Sequence, residues 1–111
     1  MNNLNKKIRF SILNDFYNSF LTDKQKVVAR EYYNNDLSMS EIGSNLNITR
    51  QAVSDRVRSI EESLNNIENK LRLFDKSQKT NEIVKKINIK YELDKDLKKD
   101  ISKILEVWEK E

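Results

Sequence analysis

Ser38-Met39-Ser40-Glu41-Ile42-Gly43-Ser44-Asn45-Leu46-Asn47-Ile48-Thr49-Arg50-Gln51-Ala52-Val53 is the stretch that decides the fold of this chain. It opens on a Ser-x-x-Glu capping box, in which the serine and the acid three residues later satisfy each other's backbone amides. A short helix to about Leu46 follows, with Met39, Ile42 and Leu46 turned inward. Asn47 stands where the chain turns with positive φ, a conformation Gly takes most easily and Asn next. Thr49 is then a second N-cap. Gly43 and Ser44 are small where a second helix must come close. Ile42, Leu46 and Ile48 supply an apolar wedge, and Val53 and Val57 close it from the other side. Cap, wedge, turn and second cap agree in register, so residues 38–64 read as a helix-turn-helix.

The helix leaving this motif is predicted to be the longest. Val53, Val57, Ile60, Leu64, Ile67, Leu71 and Phe74 recur at spacings of four and three, the pattern of a helix–helix seam. The seam Val57, Ile60, Leu64, Ile67, Leu71 and Phe74 extends past what a recognition helix needs. Either the C-terminal helices of the same chain cover it or a second copy does. A homodimer is the favoured reading, because helix-turn-helix proteins commonly pair to place two recognition helices in successive groove turns.

Working outward, Leu4, Ile8, Ile12, Leu13, Phe16, Tyr17 and Phe20 mark an amphipathic helix over about residues 4–20. Thr22 caps a second, running to about Asn34, and Asn34, Asn35 and Asp36 end it. Downstream, Asp75–Thr80 reads as a polar interruption before a short helix around Glu82–Ile89. Asp94 caps a last helix striped by Leu97, Ile101, Ile104, Leu105 and Trp108, where Trp108 reads as a packing anchor. The expectation is an all-α protein of five or six helices without a sheet. Residues 1–74 hold the N-terminal helix and the motif with its extended helix. Residues 75–111 form a helical extension packing on that core, as a single domain overall.

Composition narrows the chemistry. The 111 residues include one Gly, no Pro, no Cys and no His. Without Cys there is no thiol nucleophile, disulfide or thiolate metal site, and without His the commonest neutral-pH base and metal ligand is missing. Asp94, Asp96 and Asp100 lack the Gly and terminal Glu of a calcium loop and read as a cap and a solvated face. No Gly-rich phosphate loop exists. A non-enzymatic protein with no cofactor and no metal is therefore expected. No apolar run approaches the roughly 18 residues of a membrane span, and the N-terminus does not read as a signal peptide. A cytoplasmic location without membrane insertion follows. The net charge is +3. Residues 1–37 carry six basic residues against four acids, residues 38–74 five against five, and residues 75–111 ten against nine, so no segment is strongly basic.

Leu21-Thr22 with Gln25, Leu37-Ser38 with Glu41-Ile42, and Thr49-Arg50-Gln51 together resemble region 4 of bacterial sigma factors. Over nearly the whole chain the resemblance is closer to the YlxM family of small bacterial proteins. Its marks are Asn14-Asp15-Phe16-Tyr17, Leu21-Thr22-Asp23-Lys24-Gln25, Leu37-Ser38-Met39-Ser40-Glu41-Ile42, Thr49-Arg50-Gln51-Ala52-Val53, the long heptad helix and the helical tail. That resemblance implies a DNA-binding helix-turn-helix protein whose gene typically neighbours that of the signal recognition particle GTPase. The role it implies is regulatory or accessory to that pathway.

If the second helix enters a major groove, Arg50, Gln51, Ser54, Asp55 and Arg58 face outward from it. Arg suits guanine and Gln suits adenine, each with two hydrogen bonds. Thr49 and the helix N-terminus suit a phosphate, and Lys24, Lys26 and Arg56 are candidate backbone contacts. Asp55 puts a negative charge on the same face. Two readings therefore stand: a regulator binding DNA or RNA, including the signal recognition particle RNA, and an adaptor of the particle's GTPase that uses the motif as a scaffold.

Overall fold

The structure is a computed structural model that describes residues 3–109, the side chains of residues 3, 4 and 109 excepted. Leu4 of the first expected stripe therefore lies outside the described side chains. The chain divides into two compact units, Met1–Arg72 and Leu73–Glu111. Six α-helices and no strand are found among the described residues. No helix among them is long and apolar enough to cross a membrane.

The first unit is built around its longest helix. Helix α1 (Asn3–Tyr17) tightens into a single 3-10 turn at Asn18–Phe20. Helix α2 (Asp23–Ala29) starts at Thr22, whose hydroxyl accepts from the Gln25 amide while the Gln25 side chain accepts from the Thr22 amide. Its last turn widens over Arg30–Asn34, closed by the Asn35 N–H donating to the Arg30 carbonyl at 3.0 Å. Asp36 then reverses the chain at φ 55°. Lys7 of α1 pins this reversal, with its ammonium 2.7 Å from the Asp36 carboxylate and 4.3 Å from the centre of the Tyr32 ring.

Helix α3 (Met39–Leu46) begins at the capping box expected from Ser38 and Glu41. Helix α4 (Arg50–Leu71) begins at Thr49, whose hydroxyl accepts from the Ala52 amide. It packs against α1, α2 and α3. Val53, Val57, Ile60 and Leu64 are buried with Leu13 and Tyr17 of α1, Val28 and Ala29 of α2, and Ile42 of α3. Each large apolar side chain so buried contributes roughly 1.5–3 kcal/mol. The first half of the heptad stripe is thus filled by the N-terminal helices of the same unit, while Leu71 at its far end is 42 % exposed. The Tyr17 hydroxyl donates to the buried Glu68 carboxylate and ties the end of α1 to α4.

Two expectations change here. The long helix does not reach Phe74. It stops at Leu71, where Arg72 turns left-handed at φ 57° and its N–H returns to the Glu68 carbonyl at 2.7 Å. Phe74 belongs to the next helix, and the spacing of four and three continues across the break because only one residue separates the two helices. Nor is Asp75–Thr80 an interruption. Helix α5 (Leu73–Lys90) runs through it. These residues are polar but suited to helix: Asp75 lies in the first turn, Lys79 pairs with it at 3.2 Å, and the Ser77 and Thr80 hydroxyls bond back to the carbonyls of Phe74 and Lys76. Polarity there marked a solvated face.

In the second unit α5 packs against α6 (Lys95–Glu109). The Asp94 carboxylate accepts from the Leu97 amide at 2.7 Å, the cap expected of it. Phe74 and Val84 are the buried apolar residues of this unit among those described.

Candidate nucleic-acid interface

The turn between α3 and α4 sets how α4 is presented. Asn47 is left-handed at φ 56°, as its position implied. The Ile48 N–H donates to the Gly43 carbonyl at 2.9 Å, the closure that accompanies a left-handed helix end. A Cβ on Gly43 would lie 2.8 Å from the Ile48 carbonyl oxygen and 3.5 Å from the Arg50 nitrogen. Gly43 is thus the point where α3 comes against the turn backbone, and no larger residue fits without a shift. Over it lies a shallow open hollow edged by Ser40, Ser44, Asn47, Thr49 and Arg50. The N-terminus of α4 ends at this hollow, and its dipole favours an anion there.

Beyond the turn, the helical period sorts α4 into faces. Val53, Val57, Ile60 and Leu64 face the core. Gln51, Asp55, Arg58 and Glu62 share the opposite, exposed face. Arg50 is exposed and Ser54 half-buried on one flank, with Glu61 beyond them paired to Lys6 of α1 at 3.3 Å. Arg56 is half-buried on the other flank, the side that carries Ser59 and Ser63.

Of the expected contact residues, then, Arg50, Gln51, Asp55 and Arg58 come together on open surface at the start of α4. Asp55 organises them. The Gln51 amide donates to Asp55 Oδ1 at 3.0 Å, and the Arg58 guanidinium lies 4.0 Å from the same oxygen. Lys24 and Lys26 are elsewhere. Gln25 between them reaches Ser59 and Ser63 at 3.0 and 3.3 Å, so the start of α2 lies beside the middle of α4. That is roughly 13 Å along the axis from Arg50.

Three residues of this region were not singled out from sequence. Gln25 both caps α2 and donates to α4, and Ser59 and Ser63 receive it. Two serines four apart beside an apolar stripe were the available signal. Glu62 adds a second acid to the outward face, so that Arg50 and Arg58 are matched in number by Asp55 and Glu62.

Two capped helices, a left-handed turn at Asn47 and a glycine pressed against that turn define a helix-turn-helix protein. The family model described as "Putative helix-turn-helix protein, YlxM / p13 like" matches residues 4–104, and the chain belongs to this family, UPF0122. A UPF0122 protein of Desulforamulus reducens is 43 % identical over 82 residues, covering 73 % of this chain and 70 % of the relative. That of Malacoplasma penetrans is 38 % identical over 96 residues, 86 % of this chain and 90 % of its own. The UPF0122 protein YofM of Lactococcus lactis is 35 % identical over 108 residues, with 97 % of both chains covered.

Proposed function

We propose that this protein is a non-enzymatic, nucleic-acid-binding regulator that reads its target with the first turns of α4. The observation that carries the reading is the presentation of Arg50, Gln51 and Arg58 on exposed surface immediately after a rigid, glycine-dependent turn. Arg and Gln are the side chains that make paired hydrogen bonds to guanine and adenine. Thr49, Arg50 and the α4 N-terminus beside the hollow suit a backbone phosphate. Lys24, Lys26 and Arg56 lie on or beside one flank of α4 and suit longer-range phosphate attraction, while Ser54 lines the opposite flank.

The test is fluorescence anisotropy on duplex DNA and on a structured RNA across a salt series. Binding should weaken with salt as counterions are released. Replacing Arg50 and Arg58 together by Ala should reduce the salt slope by about two and weaken binding on every sequence. Equal binding by the double variant and the parent would show that this face is not the site.

A second reading has its own support. Asp55 holds both Gln51 and Arg58, and the outward stripe of α4 is electrically balanced. Such a surface suits a protein partner better than a phosphate backbone. The adaptor reading, in which the partner is the signal recognition particle GTPase implied by the YlxM resemblance, is tested by retention of that GTPase on immobilised protein with and without the particle's RNA. Retention without RNA that Asp55→Ala and Arg58→Ala abolish would favour the adaptor. Retention only with RNA would favour the nucleic-acid reading.

A further inference from the structure

The last helix has more apolar surface than its neighbour covers. Along α6 the six residues Leu97, Ile101, Ile104, Leu105, Val107 and Trp108 fall within one broad face of the helical period. Helix α5 packs along α6, and Ile101, Leu105 and Trp108 on one side of that face are half-buried. The other side is open: Leu97 is 45 % exposed, Ile104 48 % and Val107 74 %. These three lie on one line down the helix, at spacings of seven and three.

The charges beside that line indicate what covers it. Residues 95–103 carry four lysines and two aspartates, whereas residues 104–109 carry two glutamates and no base. The helix is therefore positive in its first half and negative in its second. Asp100 and Lys103 border the open line and currently pair with each other at 3.6 Å, both well exposed. Helix α6 spans Lys95–Glu109, so its midpoint is Ser102. An antiparallel copy placed about that midpoint sets Leu97 opposite Val107 of the other chain. The same register sets Asp100 opposite Lys103 of the other chain, and Lys103 opposite Asp100. Such reciprocity is the condition for a two-fold interface, in which one patch is its own complement.

We propose that this open edge of α6 is a homodimerisation surface, occupied by α6 of a second copy running antiparallel. The heptad stripe of α4 does not offer this surface, since Val57, Ile60 and Leu64 are buried within the first unit. A seam of four turns is small beside the roughly 800 Å² per partner of a standard interface, so association falls in the micromolar range.

Sedimentation equilibrium of the full chain over a concentration series tests this. A monomer–dimer equilibrium is expected, with Ile104→Glu and Val107→Glu each weakening it at least about tenfold, as expected for charges placed in the seam. Both positions are exposed, so circular dichroism should show the helices unchanged. The chain has no cysteine, which allows the register to be read directly. Oxidation of the double variant Leu97→Cys/Val107→Cys should give a covalent dimer. Leu97→Cys alone should not, because the two Leu97 positions lie about 15 Å apart along the axis. A chain that stays monomeric at about 100 µM, well above micromolar association, would overturn the proposal and leave the face to the first unit or another partner. So would a dimer indifferent to both glutamates, or ready cross-linking of Leu97→Cys alone.

Discussion

Gln51 donates to Asp55 Oδ1 at 3.0 Å, and Arg58 approaches the same oxygen at 4.0 Å. The two side chains best suited to reading bases thus share one acid, one helical turn from each. Exposed ion pairs of this kind are worth up to about 1 kcal/mol and weaken with salt. Asp55→Ala frees both side chains and removes a negative charge from the face. Affinity for duplex DNA at low salt is expected to rise between about twofold and fivefold, and the gain should shrink as salt is added. Anisotropy titrations at two salt concentrations measure it. An unchanged affinity would mean that Asp55 does not restrain the site.

Gly43 makes the clearest case for stability. Its missing Cβ would stand 2.8 Å from the Ile48 carbonyl oxygen, a backbone atom that yields only if the turn itself moves. Gly43→Ala is expected to cost about 1–3 kcal/mol, the usual range for overpacking. Ser44→Ala, next to it but exposed, should change stability by less than about 0.5 kcal/mol. Urea unfolding of both variants checks the contrast. Equal effects would mean that the turn is not packed through Gly43.

What the sequence revealed and what it hid follow from how local each signal is. The capping boxes, Asn47 and the Thr49 and Asp94 caps were legible because each is decided within four residues. The apolar stripe of α4 was legible because burial repeats with the helical period. The break at Arg72 was not, since it carries no Gly, Pro or Asn and the stripe steps over it in phase. Helix α5 was hidden for a related reason: Asp75–Thr80 is polar and was read as a loop, although its residues bond along a helix. The sharing of Gln51 and Arg58 by Asp55 was only partly visible. Spacing placed the acid on that face, but side-chain conformation decided that it would engage both neighbours.

Gln25 has two roles that substitutions can separate. Its carbonyl oxygen accepts from the Thr22 amide, while its amide group donates to Ser59 and Ser63 of α4. Gln25→Ala loses both and is expected to cost about 1–2 kcal/mol. Gln25→Glu keeps the acceptor for the cap but loses the donor, and should cost about half as much. In the Ser59→Ala/Ser63→Ala background, Gln25→Glu should become nearly neutral. That double-mutant cycle isolates the tether between α2 and α4. Additive effects would show that the tether contributes nothing to stability.

Glu41 links the motif to pH. Its carboxyl is held below the ordinary glutamate value of 4.5 by the Ser38 amide and then the Ser38 hydroxyl, which bond to the charged form. Asp36 is likewise held below the ordinary aspartate value by Lys7. A folded-state pKa below the unfolded one means that the unfolded chain takes up the proton first as acid is added. The stabilisation is therefore complete above the ordinary value and is lost as pH falls through the lower, folded value. Neutral and alkaline pH leave it untouched. Glu41→Gln preserves an acceptor for the Ser38 amide but cannot titrate. Its melting temperature is expected to fall less steeply than the parent's between about pH 5 and pH 3, while the two stay parallel above about pH 6. Asp36→Asn should flatten the same acid limb independently, because its partner Lys7 lies on α1 and not in the α3 cap. Identical acid limbs for Glu41→Gln and the parent would place the acid sensitivity outside the helix-turn-helix.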